Sequence, residues 1–208
     1  MNFTWHGQTC FKIISQKNKD GAVSILIDPF PKETGLRSPK AEADIILFTD
    51  SGRTVPGNGF IVSGPGEYEV KGVCIKGIQC FANKNKNCEK TLYFIEAEDM
   101  KICHLGLFSE SELNSKYAEE IGGADILMLP VGGGDSLDAK SALKIMSQLE
   151  PKITIPMHYK VPGLKIKLDG LENFLKALGI KKLELLEKLS VKKRDLPEDE
   201  AKIIALKP

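Results

Sequence analysis

The chain has 208 residues, with 29 Lys and Arg against 28 Asp and Glu, a formal net charge of +1 and 42% hydrophobic residues. This composition is typical of a globular protein, and the length suffices to bury a core without a metal or a disulfide. The balanced charge argues against a protein that binds nucleic acid or an anionic membrane. We therefore expect a single domain over residues 1–208, with a small molecule or a protein as its partner.

The cysteines and the first residues bear on the cellular compartment. The sequence has five cysteines, an odd number, with no Cys-x-x-Cys pair, which favours reduced thiols over disulfides. The N-terminus has no basic region followed by an apolar stretch, so a signal peptide is not predicted. The longest apolar runs, such as 126–131, are far shorter than the roughly 20 residues that span a bilayer. The sequence therefore predicts a cytoplasmic protein.

The first half of the sequence predicts short strands separated by Gly, Pro and Asn. Runs of β-forming and apolar residues lie at 3–5, 10–14, 23–27, 45–48, 73–81 and 91–97. The run at 45–48 lies between Asp44 and Thr49, which is typical of a strand buried on both faces. The polar stretch 83–90 is predicted to be a hairpin loop.

The second half predicts strands that alternate with helices. Ser109 and Glu112 have the spacing of a capping box, which predicts a helix that begins there. A second helix is predicted from about Asp138 to Pro151. Its apolar stripe consists of Ala139, Ala142, Leu143, Met146 and Leu149. A third helix is predicted at 171–178 and strands at 125–131, 153–156 and 202–206. The strand, helix and strand from 125 to 156 predict a right-handed βαβ unit.

The sequence has three histidines, and each stands at an end of a predicted strand: His6, His104 and His158. Strand ends are where sites are usually assembled on sheet scaffolds. Three imidazoles, together with the carboxylate of Asp28 or Asp50, are a known type of ligand set for one catalytic zinc ion. No two histidines have the i, i+2 or i, i+4 spacing of a ligand pair, so three unrelated histidines remain the alternative.

Several segments of the chain together point to one known fold. They are 5–13 (WHGQTCFKI), 27–30 (IDPF), 43–47 (ADIIL), 64–72 (GPGEYEVKG), 102–106 (ICHLG), 125–133 (DILMLPVGG) and 151–159 (PKITIPMHY). In this order they resemble the metallo-β-lactamase-fold hydrolases, in particular the branch near the ascorbate-lactone hydrolases. The resemblance implies an α/β fold, a four-layer αββα sandwich of two mixed sheets flanked by helices.

Hydrolases of this family bind metal through a His-x-His-x-Asp-His loop after the buried strand, and the resemblance places this loop at 49–56. The segment contains no histidine, and Asp50 stands at the first ligand position. The residues at other ligand positions are Gly52, Thr54, Val55, Ala82 and Leu107. Only His158 matches a direct ligand, whereas His104 and His6 match neighbouring positions.

Because a lone imidazole binds zinc weakly, this comparison favours a protein without a cofactor. We therefore expect a catalytically inactive binding or regulatory protein, a pseudoenzyme. The alternative is a metal-dependent hydrolase of lactone or phosphodiester type. It would bind zinc at a mononuclear site rebuilt from His158 with His6, His104 and Asp50.

Overall fold

The computed structural model describes residues 1–17, 21–50, 52, 57–81 and 89–208. The strands are β1 (Asn2–Trp5), β2 (Phe11–Lys17), β3 (Gly21–Ile27), β4 (Glu42–Leu47), β5 (Asn58–Val62), β6 (Gly66–Val70), β7 (Val73–Phe81), β8 (Glu89–Ala97), β9 (Met100–His104), β10 (Ile126–Pro130), β11 (Ile153–Met157), β12 (Leu185–Leu186), β13 (Leu189–Ser190), β14 (Lys202–Ile203) and β15 (Ala205–Leu206). The α-helices are α1 (Ser115–Ile121), α2 (Ala139–Leu149) and α3 (Leu171–Ala177). Within the predicted hairpin loop, 83–88 lie outside the described residues, and the two residues that follow belong to β8.

The strands form two large mixed sheets. Sheet 1 has the order β13-β1-β2-β3-β4-β5, and sheet 2 has the order β14-β11-β10-β9-β8-β7-β6. Strands β3, β4 and β5 are parallel, and so are β9, β10 and β11. The parallel pairing of β10 and β11 around α2 confirms the predicted βαβ connection. The predicted α/β sandwich of two mixed sheets is also confirmed.

Apolar side chains of both sheets and of the helices form one large core. Strands β10 and β11 are buried at every residue, and for β10 the continuous apolar run predicts this burial. Burial of one such Ile or Leu side chain contributes about 1.5–3 kcal/mol. A smaller cluster around Leu26 and Ile46 lies on the other face of sheet 1, where Phe30 and Leu36 cover it. This packing fixes the positions of the strand ends.

Helix α2 begins where the sequence predicts. The Asp138 side chain accepts a hydrogen bond from the Ser141 backbone N–H at 2.8 Å and so caps the helix. The buried face carries Ala142, Ile145 and Leu149, whereas Leu143 is half-buried. The predicted stripe therefore omitted Ile145. In the part of the chain that the structure describes, no helix is long and apolar enough to span a membrane.

Helix α1 begins later than the capping-box pattern predicts. The helix starts at Ser115, and the side chain of Asn114 accepts the backbone N–H three residues on, at 3.0 Å. The Gln148 side chain of α2 accepts the Leu113 N–H at 2.9 Å and donates to the Leu113 carbonyl at 3.4 Å. These tertiary hydrogen bonds hold Leu113 outside the helix. The prediction of a helix start at Ser109 is therefore wrong.

Candidate functional site

The candidate residues lie at one edge of the sandwich. Asp28 follows β3, His104 ends β9 and His158 follows β11. His6 follows β1, which has the same direction as β3 because each pairs antiparallel with β2. Asp50 comes shortly after β4, which is parallel to β3. Carboxyl ends of parallel strands are a common place for sites in open α/β sheets.

The loop from His6 to Cys10 connects this edge of sheet 1 to sheet 2. His104 Nε2 lies 2.8 Å from the Thr9 carbonyl oxygen. The His158 backbone N–H donates to the Gln8 carbonyl oxygen at 3.0 Å. The loop therefore contacts the ends of both β9 and β11, and it brings two of the three predicted histidines next to the segment that carries the third.

The His104 side chain lies between the two sheets and forms hydrogen bonds through both ring nitrogens. Its Nδ1 accepts the Gly106 N–H at 3.2 Å, so its Nε2 carries the proton and donates to the Thr9 carbonyl. The ring is fully buried. Burial lowers the pKa of His104, although the Asp28 carboxylate and the Thr9 carbonyl act in the opposite direction. Both ring nitrogens are thus engaged in hydrogen bonds, and the histidine connects the two sheets.

The imidazole ring of His158 is oriented by a hydrogen bond to Ser136. The Ser136 hydroxyl donates to the Gly133 carbonyl at 3.0 Å, so its oxygen accepts a hydrogen bond from His158 Nδ1, also at 3.0 Å. This assigns the proton to Nδ1 and the lone pair to Nε2. The same orientation by a hydrogen bond at the second nitrogen is typical of metal-ligating and catalytic histidines.

Asp28 joins the ends of β3 and β4. Its Oδ1 accepts the Thr49 backbone N–H at 2.7 Å, and its Oδ2 accepts the Thr49 hydroxyl at 2.6 Å. Asp28 and Thr49 are each 2% exposed. Two charge-assisted hydrogen bonds compensate the burial of the carboxylate. Asp28 therefore positions the chain that leads to Asp50.

Asp50 binds a lysine that sequence analysis missed. Its Oδ2 lies 2.7 Å from the Lys90 ammonium nitrogen, and the Lys90 side chain is 9% exposed. The hydrogen bond from the Thr91 N–H to the Thr49 carbonyl, at 2.8 Å, sets the two residues beside each other. The only sequence signal for Lys90 was its position as a charged residue immediately before the predicted strand at 91–97.

Two side chains of the loop carry buried nitrogens without a hydrogen-bond partner among the described residues, His6 Nε2 and Gln8 Nε2. Burial, together with the nearby Lys12 ammonium, lowers the pKa of His6. A buried amide donor without an acceptor costs about 1–3 kcal/mol. A bound molecule whose oxygen accepts a hydrogen bond from the Gln8 amide would explain this buried donor.

Three residues of this edge have left-handed backbone conformations that non-glycine residues rarely adopt. The φ angles of Gln8, Asp28 and His158 are 50°, 47° and 51°. Strained backbone of this kind clusters at functional sites, where the surrounding structure compensates its cost. Two of these three residues, Asp28 and His158, are candidates that the sequence analysis names.

Loops after β3 and after β11 cover the candidate site. A β-carbon on Gly35 would lie 2.1 Å from the Gly163 carbonyl oxygen, so the two loops are in direct contact. A β-carbon on Gly7 would lie 2.4 Å from the Leu36 side chain, which therefore packs on the loop of His6. Below this cover, His104 and His158 are at most 5% exposed.

The metal ion that the resemblance implies needs three protein ligands or more at a catalytic zinc site. Among the described residues, no group of three His, Cys, Asp or Glu side chains lies close enough to hold one ion. His158 fits as a ligand, but His104 has both nitrogens engaged and Asp50 binds an ammonium. The donors in the described ranges therefore do not fit a catalytic metal. Of the positions without a ligand side chain, Thr54, Val55 and Ala82 lie outside the described residues.

Comparisons with known proteins find relatives over most of the chain. It is 28% identical over 217 residues to a UPF0173 metal-dependent hydrolase of Thermoplasma volcanium, covering 84% of this chain and 91% of that protein. It is 26% identical over 189 residues to a UPF0173 protein of Pyrococcus abyssi, covering 78% and 85%. The fold superposes on a metallo-β-lactamase superfamily protein of Thermotoga maritima, provisionally named a Zn-dependent hydrolase. The TM-score is 0.78, with 30% identity over 99% of each chain.

These findings correct one prediction. The expected catalytically inactive binding or regulatory protein is wrong, because relatives along most of the chain are named metal-dependent hydrolases. The alternative, a hydrolase, agrees with them better. Neither relative nor the solved structure described above is named for an ascorbate lactone, so that branch stays a prediction.

The family model described as the beta-lactamase superfamily domain matches residues 2–158. The match begins in β1 and ends at His158, and it includes His6, Asp50 and His104. The similar Thermotoga maritima structure extends the agreement to nearly the whole chain. The chain therefore belongs to the beta-lactamase superfamily and has the metallo-β-lactamase fold.

Proposed function

We propose that the protein is a hydrolase that cleaves a lactone or phosphodiester bond at the carboxyl-end edge of the sandwich. Its superfamily and the names of its relatives support hydrolysis. The observation that carries the proposal is the imidazole of His158, which Ser136 holds with the proton on Nδ1 and the lone pair on Nε2. The free thiols of Cys10, Cys74 and Cys103 support a reducing compartment such as the cytoplasm.

In this proposal His158 is the general base. Its Nε2 takes a proton from the attacking water as the oxygen bonds to the carbonyl carbon or the phosphorus. The imidazolium then returns the proton to the leaving oxygen as the ester bond breaks. Ser136 is a positioning residue, because its hydroxyl oxygen accepts the Nδ1 proton and fixes the ring. A general base of this kind contributes typically about 100- to 10,000-fold to the rate.

Gln8 supplies a hydrogen-bond donor for the negative charge that develops on the substrate. Its amide nitrogen is buried without a partner among the described residues. A preorganised donor in a site that excludes water stabilises such charge better than water does. The loops that meet at Gly35 and Gly163 must move to admit the substrate, as active-site loops commonly do.

Metal dependence belongs to the names of the relatives, and the donors of the described residues do not supply a metal site. The steps above therefore use only side chains of this chain. The experiment measures metal content together with turnover. It therefore tests separately whether the chain binds a metal and whether it hydrolyses the substrate.

The test uses untagged protein, because a histidine tag would add metal ligands. Hydrolysis of bis(4-nitrophenyl) phosphate and of dihydrocoumarin is measured with EDTA, and again with zinc or manganese, beside the metal content per chain. We expect His158→Ala to lower kcat at least about 100-fold. Ser136→Ala should have a smaller effect, and Ser190→Ala, at the opposite edge of the sandwich, should have none.

Two results would contradict the proposal. One is the absence of turnover on both substrate types under every metal condition. The other is a His158→Ala variant that is as active as the unmodified chain while Ser190→Ala shows that the assay is reproducible. A thermal melt of each variant separates loss of chemistry from loss of folding.

A further inference from the structure

We propose that the two loops that cover the candidate site form a basic entrance, which attracts a negatively charged substrate, a phosphodiester rather than a lactone. The loops are residues 31–41 and 160–168, and together they are called the basic cover below. This inference rests on the proposed function and deepens it, because it selects one of the two substrate types and assigns the place where that substrate first binds.

The basic cover concentrates positive charge. Its two loops contain six Lys and Arg residues and one acidic residue, Glu33. All six basic side chains are exposed: Lys32, Arg37, Lys40, Lys160, Lys165 and Lys167. The whole chain has 29 Lys and Arg against 28 Asp and Glu, so acidic residues outnumber basic ones in the rest of the chain. The positive charge of a nearly neutral protein is therefore gathered at this one place.

Ion pairs do not neutralise these charges. Among the described residues, no carboxylate lies within ion-pair distance of any of the six basic groups of the cover. Lys90 differs, because the carboxylate of Asp50 lies 2.7 Å from its ammonium. Two exposed acidic residues, Glu33 within the first loop and Asp169 directly after the second, offset part of the charge of the cover. The remainder is free to act on a ligand.

The two loops contact each other, so their charges act as one patch. The Lys165 backbone N–H donates to the Thr34 carbonyl at 3.0 Å. A β-carbon on Gly35 would lie 3.1 Å from Lys165 Cγ, so the stem of this lysine lies where the loops meet. The ammonium groups of one loop therefore stand beside those of the other.

Hydrogen bonds connect the second loop to the proposed base. Lys160 follows His158 by two residues, and its backbone N–H donates to the Asp169 carbonyl at 2.8 Å. The Asp169 N–H donates to the Gly132 carbonyl at 2.9 Å, and the Gly132 N–H donates to the His158 carbonyl at 3.1 Å. Both ends of the second loop are thus held next to His158.

The first loop reaches the segment that carries Gln8. A β-carbon on Gly7 would lie 2.4 Å from Leu36 Cδ1, so Leu36 packs on this segment. Gln8 follows directly, and its buried amide nitrogen has no hydrogen-bond partner among the described residues. The basic cover therefore stands over both the proposed base and the proposed donor.

The charge of the cover distinguishes the two substrate types. A surface with charge of one sign raises the local concentration of an oppositely charged substrate and speeds its encounter with the site. A phosphodiester is an anion, whereas a lactone is neutral before attack, so only the phosphodiester gains. Salt screens exposed charges, with a Debye length of about 30 Å at 0.01 M and about 3 Å at 1 M. The effect must therefore depend on ionic strength.

The test compares kcat/KM for bis(4-nitrophenyl) phosphate and for dihydrocoumarin in the untagged chain and in three double variants. They are Lys165→Gln with Lys167→Gln, Lys165→Arg with Lys167→Arg, and the control Lys101→Gln with Lys202→Gln. Lys101 and Lys202 are exposed near the starts of β9 and β14, at the opposite edge of sheet 2, so the control removes the same charge at a distance from the site. Each form is measured at about 0.01 M and about 1 M NaCl, in the metal condition that gives the highest turnover, together with its thermal midpoint.

We expect the glutamine pair in the cover to lower kcat/KM for the phosphodiester about three- to tenfold at low salt, mainly through KM, and to have no effect at high salt. The arginine pair keeps both charges and should stay within about twofold of the unmodified chain. The control should match the unmodified chain. Turnover of dihydrocoumarin should be equal in all four forms, because a neutral substrate does not respond to the charge.

Different failures have different meanings. An equal loss in the control, an equal loss with dihydrocoumarin, or no loss in the glutamine pair at low salt would overturn the role of the basic cover and leave the hydrolase proposal standing. Turnover of dihydrocoumarin without turnover of the phosphodiester would overturn the choice of substrate. No turnover of either compound would overturn the proposed function and this inference with it.

Discussion

Replacement of Thr49 by valine tests whether the Asp28–Thr49 contact stabilises the edge that carries the site. Valine keeps the shape of threonine but removes the hydroxyl that donates to Asp28 at 2.6 Å, while the backbone hydrogen bond at 2.7 Å remains. A hydrogen bond to a charged group contributes about 1.5–3 kcal/mol. For a chain of this length each kcal/mol shifts the melting temperature by roughly 2–4 °C. We therefore expect a melting temperature lower by roughly 3–12 °C.

Thr154 provides a matched control for this substitution. It is fully buried in β11, and its hydroxyl has no hydrogen-bond partner among the described residues. Thr154→Val should therefore leave stability unchanged or raise it by about 1 kcal/mol, since an unsatisfied buried hydroxyl is costly. Thermal denaturation followed by the fluorescence of Trp5, the only tryptophan, measures both variants. Equal destabilisation by the two variants, or none by Thr49→Val, would refute the reasoning.

Three further predictions concern a glycine that packs against the His158 carbonyl, one ion pair and one helix cap. Gly132→Ala should displace His158 and lower hydrolytic activity, because a β-carbon would lie 2.3 Å from the His158 carbonyl oxygen; steady-state kinetics with a thermal melt measure this, and unchanged kinetics would contradict it. The hydrogen bond from Lys71 holds the pKa of Asp44 well below its ordinary value, so this contact stabilises the fold above about pH 4 and the stabilisation is lost as the pH falls. Asp44→Asn should thus be less stable near pH 7 but lose less stability on acidification. Unfolding curves of both forms are measured at pH 7 and pH 3, and an equal loss of stability in the two forms would contradict the lowered pKa of Asp44. Asp138→Ala removes the cap of α2 and should cost about 1 kcal/mol, measured by urea denaturation, whereas an unchanged midpoint would argue against the cap.

The fold followed from local sequence patterns to a large extent. The run at 125–131 predicted a buried strand because a strand covered on both faces needs apolar side chains along its length, and the run at 153–156 predicted the next strand. The side chain of Asp138 predicted the start of α2, because its hydrogen bond joins residues only three apart. The start of α1 was missed, since Gln148 holds Leu113 across a separation of 35 residues.

The candidate site was predictable in its place but not in its contacts. The histidines and Asp50 stand at strand ends in the sequence, and the structure brings those ends to one edge. The contact of His104 with Thr9 joins residues 95 apart, and no periodicity of the sequence indicates it. The pairing of Lys90 with Asp50 likewise depends on how β8 lies against β4.

The contact between Gly35 and Gly163 has a consequence for how the sequence can vary. Both residues are exposed, and exposed positions usually accept many substitutions. Here their φ angles are 88° and 86°, and any side chain on Gly35 would run into the backbone of the other loop. A saturation-mutagenesis screen should therefore find these two surface glycines as intolerant as the buried core.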